Sequence, residues 1–493
     1  MISGSLRRVG NGTKKVSAKR KRAQVALKYG GRLPRNAKEA GDLDKINNDT
    51  FWADTINKEL SAIWSYGTFE PISKKEMVNL KSKDGYQQAP VWMIFDVKND
   101  LRRKARLVIG GHVVDSKGND VYATHMKAES ARMLMVIADA NDIDVACGDV
   151  KNAYLNAQTD EGIVTLLGKE FFDVGLTSQT QQWERVAKAQ YGLQSSGNKW
   201  WQILSDTLIQ IGYKRSRRDK DVWMCPNKLK TMYDYIDTHT DDLLVISKDA
   251  KAVFDEVEAS FEFKTTSEPE YHLGIDYIKK GGKWQLGSFT YVRECLKNVV
   301  SILGKPALGK SNVPMESRSH PECDTSTKLD SGGHNKYQKL VGIGVWLILI
   351  GYFDIGHDVS SLSRFSACPR VNHLLAIAKV FDYLNKHSNR RILVDGSDDI
   401  PHGKDMRPDE ECDWSRHYLD IGQDLEEDFP RAFLPILGMK PVTVTMWFDA
   451  DNGHDQRNSR SITGILVYIG KTPVKWSSKR QGAVERVPTA LNL

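Results

Sequence analysis

Two short stretches about ninety residues apart constrain this chain most. One runs Val145-Ala146-Cys147-Gly148-Asp149-Val150-Lys151-Asn152-Ala153-Tyr154-Leu155; the other runs from Tyr233 through Asp237, His239, Thr240, Asp241 and Asp242 to Ile246. β-Branched and apolar residues flank the acidic ones, so each stretch reads as a strand with carboxylate at its end or at a hairpin tip. The run Leu243-Leu244-Val245-Ile246 buries the strand beneath Asp241-Asp242 and fixes the pair at its mouth. A second acidic pair, Asp398-Asp399, has no apolar strand after it, and no role is read for it. Three carboxylates converging from two strands can hold two divalent cations roughly 3.5–4 Å apart, the arrangement behind in-line phosphoryl transfer.

At 493 residues the chain is too long for one core, and three or more subdomains are expected. The net charge of +7 is modest but unevenly placed: Arg7, Arg8, Lys14, Lys15, Lys19, Arg20, Lys21 and Arg22 fall in one stretch without an acidic residue. Such an arm is either a solvated tail or a site of attraction for phosphate backbones or a nuclear import receptor. No apolar segment follows it as a signal peptide would require. The six cysteines are scattered, with no close pair and no histidine at zinc-ligand spacing, so a reduced intracellular protein without structural zinc is expected. The longest apolar run, Val341 to Phe353, is short of the roughly twenty residues that cross a bilayer, and reads as a buried helix.

Along the chain, helical periodicity runs from Asn36 to about Lys75, with Asp49 and Thr50 as N-cap candidates for a second helix. Val91–Val97 and Ala105–Ile109 read as strands, Ser130–Asn141 as a helix before the Asp149 strand, and Trp200–Gly212 as an amphipathic helix. Met232–Ile246 reads as a hairpin and Ala252–Phe261 as a helix; Tyr271–Lys279, Trp284–Leu286 and Phe289–Tyr291 read as short strands. Residues 305–335 form a polar loop, followed by helices at Lys336–Phe353, Val359–Phe365 and Leu374–Asn385. A Pro/Asp/Glu-rich connector spans roughly 395–437, and strands close the chain at Val442–Phe448, Ser461–Ile469 and Val474–Trp476.

Around the aspartates, further residues suit the chemistry of a nucleic-acid polymerase palm. Tyr154 follows Asp149 at the spacing where a ring lies under an incoming sugar and collides with a ribose 2′-hydroxyl; a core tyrosine at a strand-to-helix turn is the plainer reading. Lys104 and Arg106 alternate with Ala105 and Leu107, so both basic heads emerge on one strand face, either to neutralise a triphosphate or as a solvated face. The Gly/Ser turn Tyr191–Trp200 lets backbone approach a base pair closely and offers Gln194 as donor and acceptor, or is only a helix start.

The segments KARLVIGGHVVDS, GDVKNAYLNA, AKAQYGLQSSGNKWW, DKDVWM, THTDDLLVIS, SEPEYHLGIDYI, VSSLSRFSACPRVNHL and DADNGHDQRNSRSITGILVYIGKTPVKWSSKRQGAVE occur in an order and spacing that strongly resemble copia-type LTR retrotransposon (Pseudoviridae-like) reverse transcriptases, from Tyr29 to Glu485. The resemblance implies an α+β right-hand polymerase fold of fingers, palm and thumb, with a connection region and an incomplete RNase H-like domain. It implies a basic arm over 1–30, N-terminal helices and fingers over 31–140, palm over 141–280, a thumb-like region over 281–370, connection over 371–440 and a truncated RNase H-like domain over 441–493. Asp149, Asp241 and Asp242 match the metal-binding catalytic triad, Lys104 and Arg106 the triphosphate contacts, Tyr154 the sugar gate and Gln194 the nucleotide- and template-facing turn. Leu273-Gly274 match the primer grip, Lys264 more loosely the lysine that protonates pyrophosphate, and Asp449 the first RNase H metal ligand. Two Mg²⁺ ions, with Mn²⁺ as a substitute, are the implied cofactors. The implied partners are an RNA template, a DNA primer or RNA–DNA hybrid and dNTPs, with capsid and integrase as polyprotein partners encoded elsewhere and no membrane. The implied location is cytoplasmic, in a virus-like particle, or nuclear.

Two departures stand out. His239 and Thr240 occupy positions where the family carries an aromatic and an aliphatic residue before the Asp pair. After Glu485 the chain reads Arg-Val-Pro-Thr-Ala-Leu-Asn-Leu, where the family continues into a helix with the next acidic RNase H ligand. RNase H activity is therefore expected to be absent, with an uncovered apolar sheet face and a free edge. RNA-directed DNA polymerisation is the expected function; a decayed retrotransposon fragment that only binds nucleic acid is the alternative. An RNA-templated RNA polymerase would carry a smaller or hydrogen-bonding residue at Tyr154.

Overall fold

The Asp-pair hairpin sits in a sheet whose neighbours are drawn from far along the chain, so the fold is best followed through what packs on each sheet. The computed structural model describes residues 27–28, 31–98, 101–115, 127–316, 319–397, 439–440, 442–451 and 453–482. Most of the basic arm, Asp398-Asp399 and nearly all of the 395–437 connector lie outside the described residues. Contacts divide the chain into two units, one of residues up to 121 with Tyr154–Lys199, the other of residues 122–153 with those from Trp200 onward.

In the first unit, helices Ala37–Asn47 and Phe51–Ser65 bury Ala40, Leu43, Trp52, Ile56, Leu60 and Ile63, the residues their periodicity selects. Thr50 holds the N-cap position, but its hydroxyl donates to Asp54 Oδ2 (2.9 Å), while Asp44 of the preceding helix accepts from the amides of Trp52 and Ala53 (3.1 and 2.8 Å). The short turn folds Asp44 back over the second helix start, where a carboxylate meets both the free N–H groups and the positive dipole end. The strands Val91–Val97 and Arg103–Ile109 pair antiparallel, and Leu107 and Ile109 lie fully buried. A four-stranded sheet, in order Phe69–Pro71, Gln182–Val186, Ile163–Leu167, Gln87–Gln88, was not expected, nor was the helix Lys74–Lys83. Ile163–Leu167 is almost wholly buried, and a short run without alternation carries no strand signature.

In the second unit, six strands lie antiparallel in the order Lys214–Arg215, Val222–Pro226, Tyr233–His239, Asp242–Ser247, Asp144–Val150, Phe263–Ser267. Helix Ala128–Asn141 packs on the face that carries Val145, Leu244 and Ile246. Helix Ala250–Glu258 packs on the opposite face, where Gly148 makes room for it: a Cβ there would lie 2.6 Å from the Phe254 ring and 2.9 Å from that of Phe263. A second sheet orders Tyr271–His272, Ile275–Lys280, Lys283–Gly287 and Arg391–Leu393. Helices Phe289–Leu303, Ser331–Ile350, Gly356–Ser363 and Val371–Lys386 contribute to the same core. Phe289–Tyr291 is thus the first turn of a helix, not a strand: the Asp276 carboxylate accepts the free Thr290 amide (2.9 Å).

The strands Val444–Asp451, Ile462–Ile469 and Thr472–Arg480 form a separate antiparallel sheet. On its edge strand Met446, Trp447 and Phe448 are exposed. The fold is α+β. Among the described residues no helix is long and apolar enough to cross a membrane, and Cys147, Cys225, Cys295, Cys323 and Cys368 are free thiols.

Candidate functional site

Register brings the three aspartates of the second unit together. His239 pairs with Asp242, so Thr240 and Asp241 alone make the hairpin turn. Asp242 in turn stands directly opposite Asp149. The Val150 amide donates to the Asp241 carbonyl (2.7 Å), which makes Asp149 and Asp242 a non-hydrogen-bonded pair. In such a pair the side chains share a face and approach most closely, Cα to Cα about 4.5 Å. Leu243, Leu244, Val245 and Ile246 are fully buried beneath them. Thr240 takes φ 57°, unusual for a β-branched residue. The indole N–H of buried Trp200 donates to its carbonyl (2.5 Å) and pins the turn.

Burial first, then the charges of Asp241 and Asp149, push the Asp242 carboxyl up to about 7, while Lys264 acts the other way. Lys264 Nζ donates to Asp149 Oδ1 at 2.6 Å. Among the described residues no three Asp, Glu, His or Cys side chains already close on one point. The carboxylates are lined up but not caged, and an ammonium occupies one of them. Hard oxygen donors crowded until one resists ionisation suit a divalent cation such as Mg²⁺, so the donor set fits the implied metal.

Leu273 and Gly274 form the two-residue turn between Tyr271–His272 and Ile275–Lys280, both at positive φ (54° and 79°). That is the signature of a type I′ hairpin turn, where a leucine is strained. Buried His272 stands edge-on to His239 (ring centroids 6.3 Å apart), and burial, then the nearby His239, pushes it down to about 4. His239, odd against the family pattern, thus links the Asp-pair hairpin to the Leu273-Gly274 hairpin. Asp237 escaped the sequence reading altogether. Fully buried, it has its carboxyl held well above the ordinary range by burial and then by Asp219 and Asp221.

In the first unit, Lys104 and Arg106 lie on the strand face opposite buried Ala105 and Leu107. The Arg106 guanidinium sits 4.3 Å over the Tyr191 ring, and Tyr191 lies 5.1 Å from the ring of half-buried Tyr154. Gln194 Nε2 donates to the Gly111 carbonyl (3.3 Å). The Tyr191–Trp200 turn also packs tightly on its own chain: a Cβ on Gly192 would fall 2.1 Å from the Ile109 carbonyl oxygen, and one on Gly111 2.0 Å from that of Gly192. The turn is locked to the end of the Arg103–Ile109 strand. Asp449, on the edge strand of the three-stranded sheet, is exposed.

Residues 77–305 match the family model for reverse transcriptase (RNA-dependent DNA polymerase). The chain is 24% identical over 394 residues to the retrovirus-related Pol polyprotein from transposon RE1 of Arabidopsis thaliana, covering 79% of this chain and 23% of that one. It is 23% identical over 451 residues to the corresponding polyprotein from transposon TNT 1-94 of Nicotiana tabacum, covering 87% and 29%. The putative transposon Ty5-1 protein YCL074W of Saccharomyces cerevisiae is 23% identical over 350 residues, covering 69% and 95%. The chain therefore spans about a quarter of the length of the plant polyproteins it matches. Among solved structures, a foamy viral protease-reverse transcriptase in complex with double-stranded DNA aligns over 85% of this chain and 54% of its own, at 10% identity and a TM-score of 0.40. Residues 77–305 are thus similar to the reverse transcriptase family, and the relatives that extend the match are Pol polyproteins of transposons.

Proposed function

We propose that the chain is an RNA-directed DNA polymerase, a nucleotidyltransferase in which a DNA primer 3′-hydroxyl attacks the α-phosphate of a dNTP opposite departing pyrophosphate. The observation that carries this reading is the register setting Asp149 against Asp242, with Asp241 beside them on a turn pinned by Trp200. Asp149, Asp241 and Asp242 would hold two Mg²⁺, or Mn²⁺ in its place, whose chemistry is to acidify the primer hydroxyl and neutralise the triphosphate. Lys264, which pairs with Asp149, would give a proton to pyrophosphate. Lys104 and Arg106 contact the triphosphate, and the Tyr191 ring holds the guanidinium of Arg106 in place. Tyr154, braced by the same ring, excludes a ribose 2′-hydroxyl; Gln194 steadies the nucleotide- and template-facing turn. The stiff Leu273-Gly274 turn grips the primer.

An RNA template, a DNA primer or hybrid, and dNTPs are the proposed partners, in the cytoplasm or nucleus, with capsid and integrase as polyprotein partners. Of the acidic ligands of an RNase H site the resemblance assigns one, Asp449, so no RNase H cleavage is proposed. The alternative of a fragment that only binds nucleic acid is not favoured, because Asp149 and Asp242 stand in register with Asp241 on the turn beside them. Asp241→Ala tests the reading: extension should be lost with duplex binding nearly intact, and extension at the unsubstituted rate would remove these aspartates from the mechanism.

A further inference from the structure

Far from the aspartates in sequence, three histidines of the second unit meet. His320 precedes the 3₁₀ turn Pro321–Cys323, His357 lies in the first turn of helix Gly356–Ser363, and His454 follows the strand Val444–Asp451. The ring of His454 lies 5.4 Å from that of His320 and 5.3 Å from that of His357, centroid to centroid. Each Nδ1 faces its own carboxylate: His320 on Glu322 (3.0 Å), His357 on Asp358 (3.0 Å) and His454 on Asp451 (2.5 Å). A carboxylate only accepts, so each Nδ1 carries a proton, and Nε2 is the ring atom left to bind a metal. Among the described residues none of the three Nε2 atoms is engaged in a hydrogen bond.

We propose that His320, His357 and His454 bind one Zn²⁺ through their Nε2 atoms. Three imidazoles, each oriented by a carboxylate behind it, are the ligand set and the supporting shell that zinc takes. Two imidazoles on one tetrahedral zinc, with Zn–N about 2.0–2.1 Å, place their centroids about 5 Å apart, close to both separations here. Among the described residues the donors do not close on one point, so binding requires the side chains to rotate about His454, which faces both other rings. The backbone that carries them is already held. Glu322 also accepts the Gln456 amide (3.1 Å), and buried Asp455, next to His454, is clamped by Arg364 and by Arg480 (2.9 Å). No zinc motif is visible in the sequence because the ligands come from three segments that only the fold unites. Bound zinc would tie the segment before the Ser331–Ile350 helix, the Gly356–Ser363 helix and the C-terminal sheet into one piece. The fourth position is left to water. The proposal does not depend on polymerase activity.

The test is zinc content and zinc titration of the full chain purified without a histidine tag, with Co²⁺ substitution read by its visible d–d absorption. One zinc per chain, a tetrahedral Co²⁺ band and a zinc-dependent rise in Tm are expected. His454→Gln should remove all three, and Asp358→Asn should weaken zinc affinity about 10–100-fold. His334→Gln, whose Nε2 lies instead on the Ser366 carbonyl, should change none of them. An unsubstituted chain that takes up no zinc and gives no Co²⁺ band overturns the proposal whether or not the variants fold. So does stoichiometric zinc that survives both His454→Gln and His320→Gln.

Discussion

Asp242→Asn should make the metal-free protein more stable at neutral and alkaline pH, at the expense of its chemistry. A carboxyl that ordinarily releases its proton near pH 4 but here holds it to about 7 has its anion disfavoured by about a thousandfold, or about 4 kcal/mol. Water reaches this half-buried rim, and screening reduces the recoverable part to about 1–2 kcal/mol. The sign follows from linkage: the pKa is raised in the folded state, so the penalty is absent below about pH 4, grows as pH rises and is complete above about 7. Asparagine has the shape of the carboxyl without its charge. Thermal unfolding of both proteins from pH 4 to pH 8 in EDTA should show Tm values that nearly coincide at the acid end and separate in favour of the variant at the alkaline end. Added Mg²⁺ should then stabilise the unsubstituted protein more at pH 8 than at pH 5. Parallel Tm profiles across that range would show that Asp149, Asp241 and Asp242 do not repel one another as argued.

Other substitutions probe the surroundings. Tyr154→Ala should raise ribonucleotide incorporation relative to deoxynucleotide in primer extension; unchanged sugar discrimination would refute the gate. Gly148→Ala pushes a methyl into the Phe254 and Phe263 rings and should lower stability by about 1–3 kcal/mol, read by denaturant unfolding. Leu273→Asn puts a residue tolerant of positive φ into the type I′ turn and should raise stability by up to about 1 kcal/mol; a lower midpoint would show that packing of the leucine outweighs its strain.

The Asp-pair hairpin was legible because an apolar run bounded by a short polar turn leaves one way to place the carboxylates. The helices around Trp52, Leu60 and Ile377 were legible from period alone. Capping by Asp44 was not, since the residue that satisfies the second helix belongs to the first. Phe289–Tyr291 misled because three apolar and β-branched residues fit either period, and the deciding carboxylate, Asp276, comes from another strand. The Gly192 turn was legible as a close-approach turn, but its packing on Ile109 was not, because that neighbour comes from a distant strand. His239 departs from the family pattern, and its edge-on contact with His272 was not legible, because no local pattern pairs two histidines from separate hairpins. The imidazole cluster at His320, His357 and His454 is the extreme case, with every partner supplied by tertiary structure.

The central claim is tested most directly by primer extension on an RNA template annealed to a DNA primer, with Mg²⁺ and dNTPs, comparing the unsubstituted chain with the Asp241→Ala, Asp242→Ala double variant. The account predicts extension by the unsubstituted chain alone, with duplex binding by both. Duplex binding without extension by either protein would contradict it and leave a domain that grips nucleic acid but does not copy it.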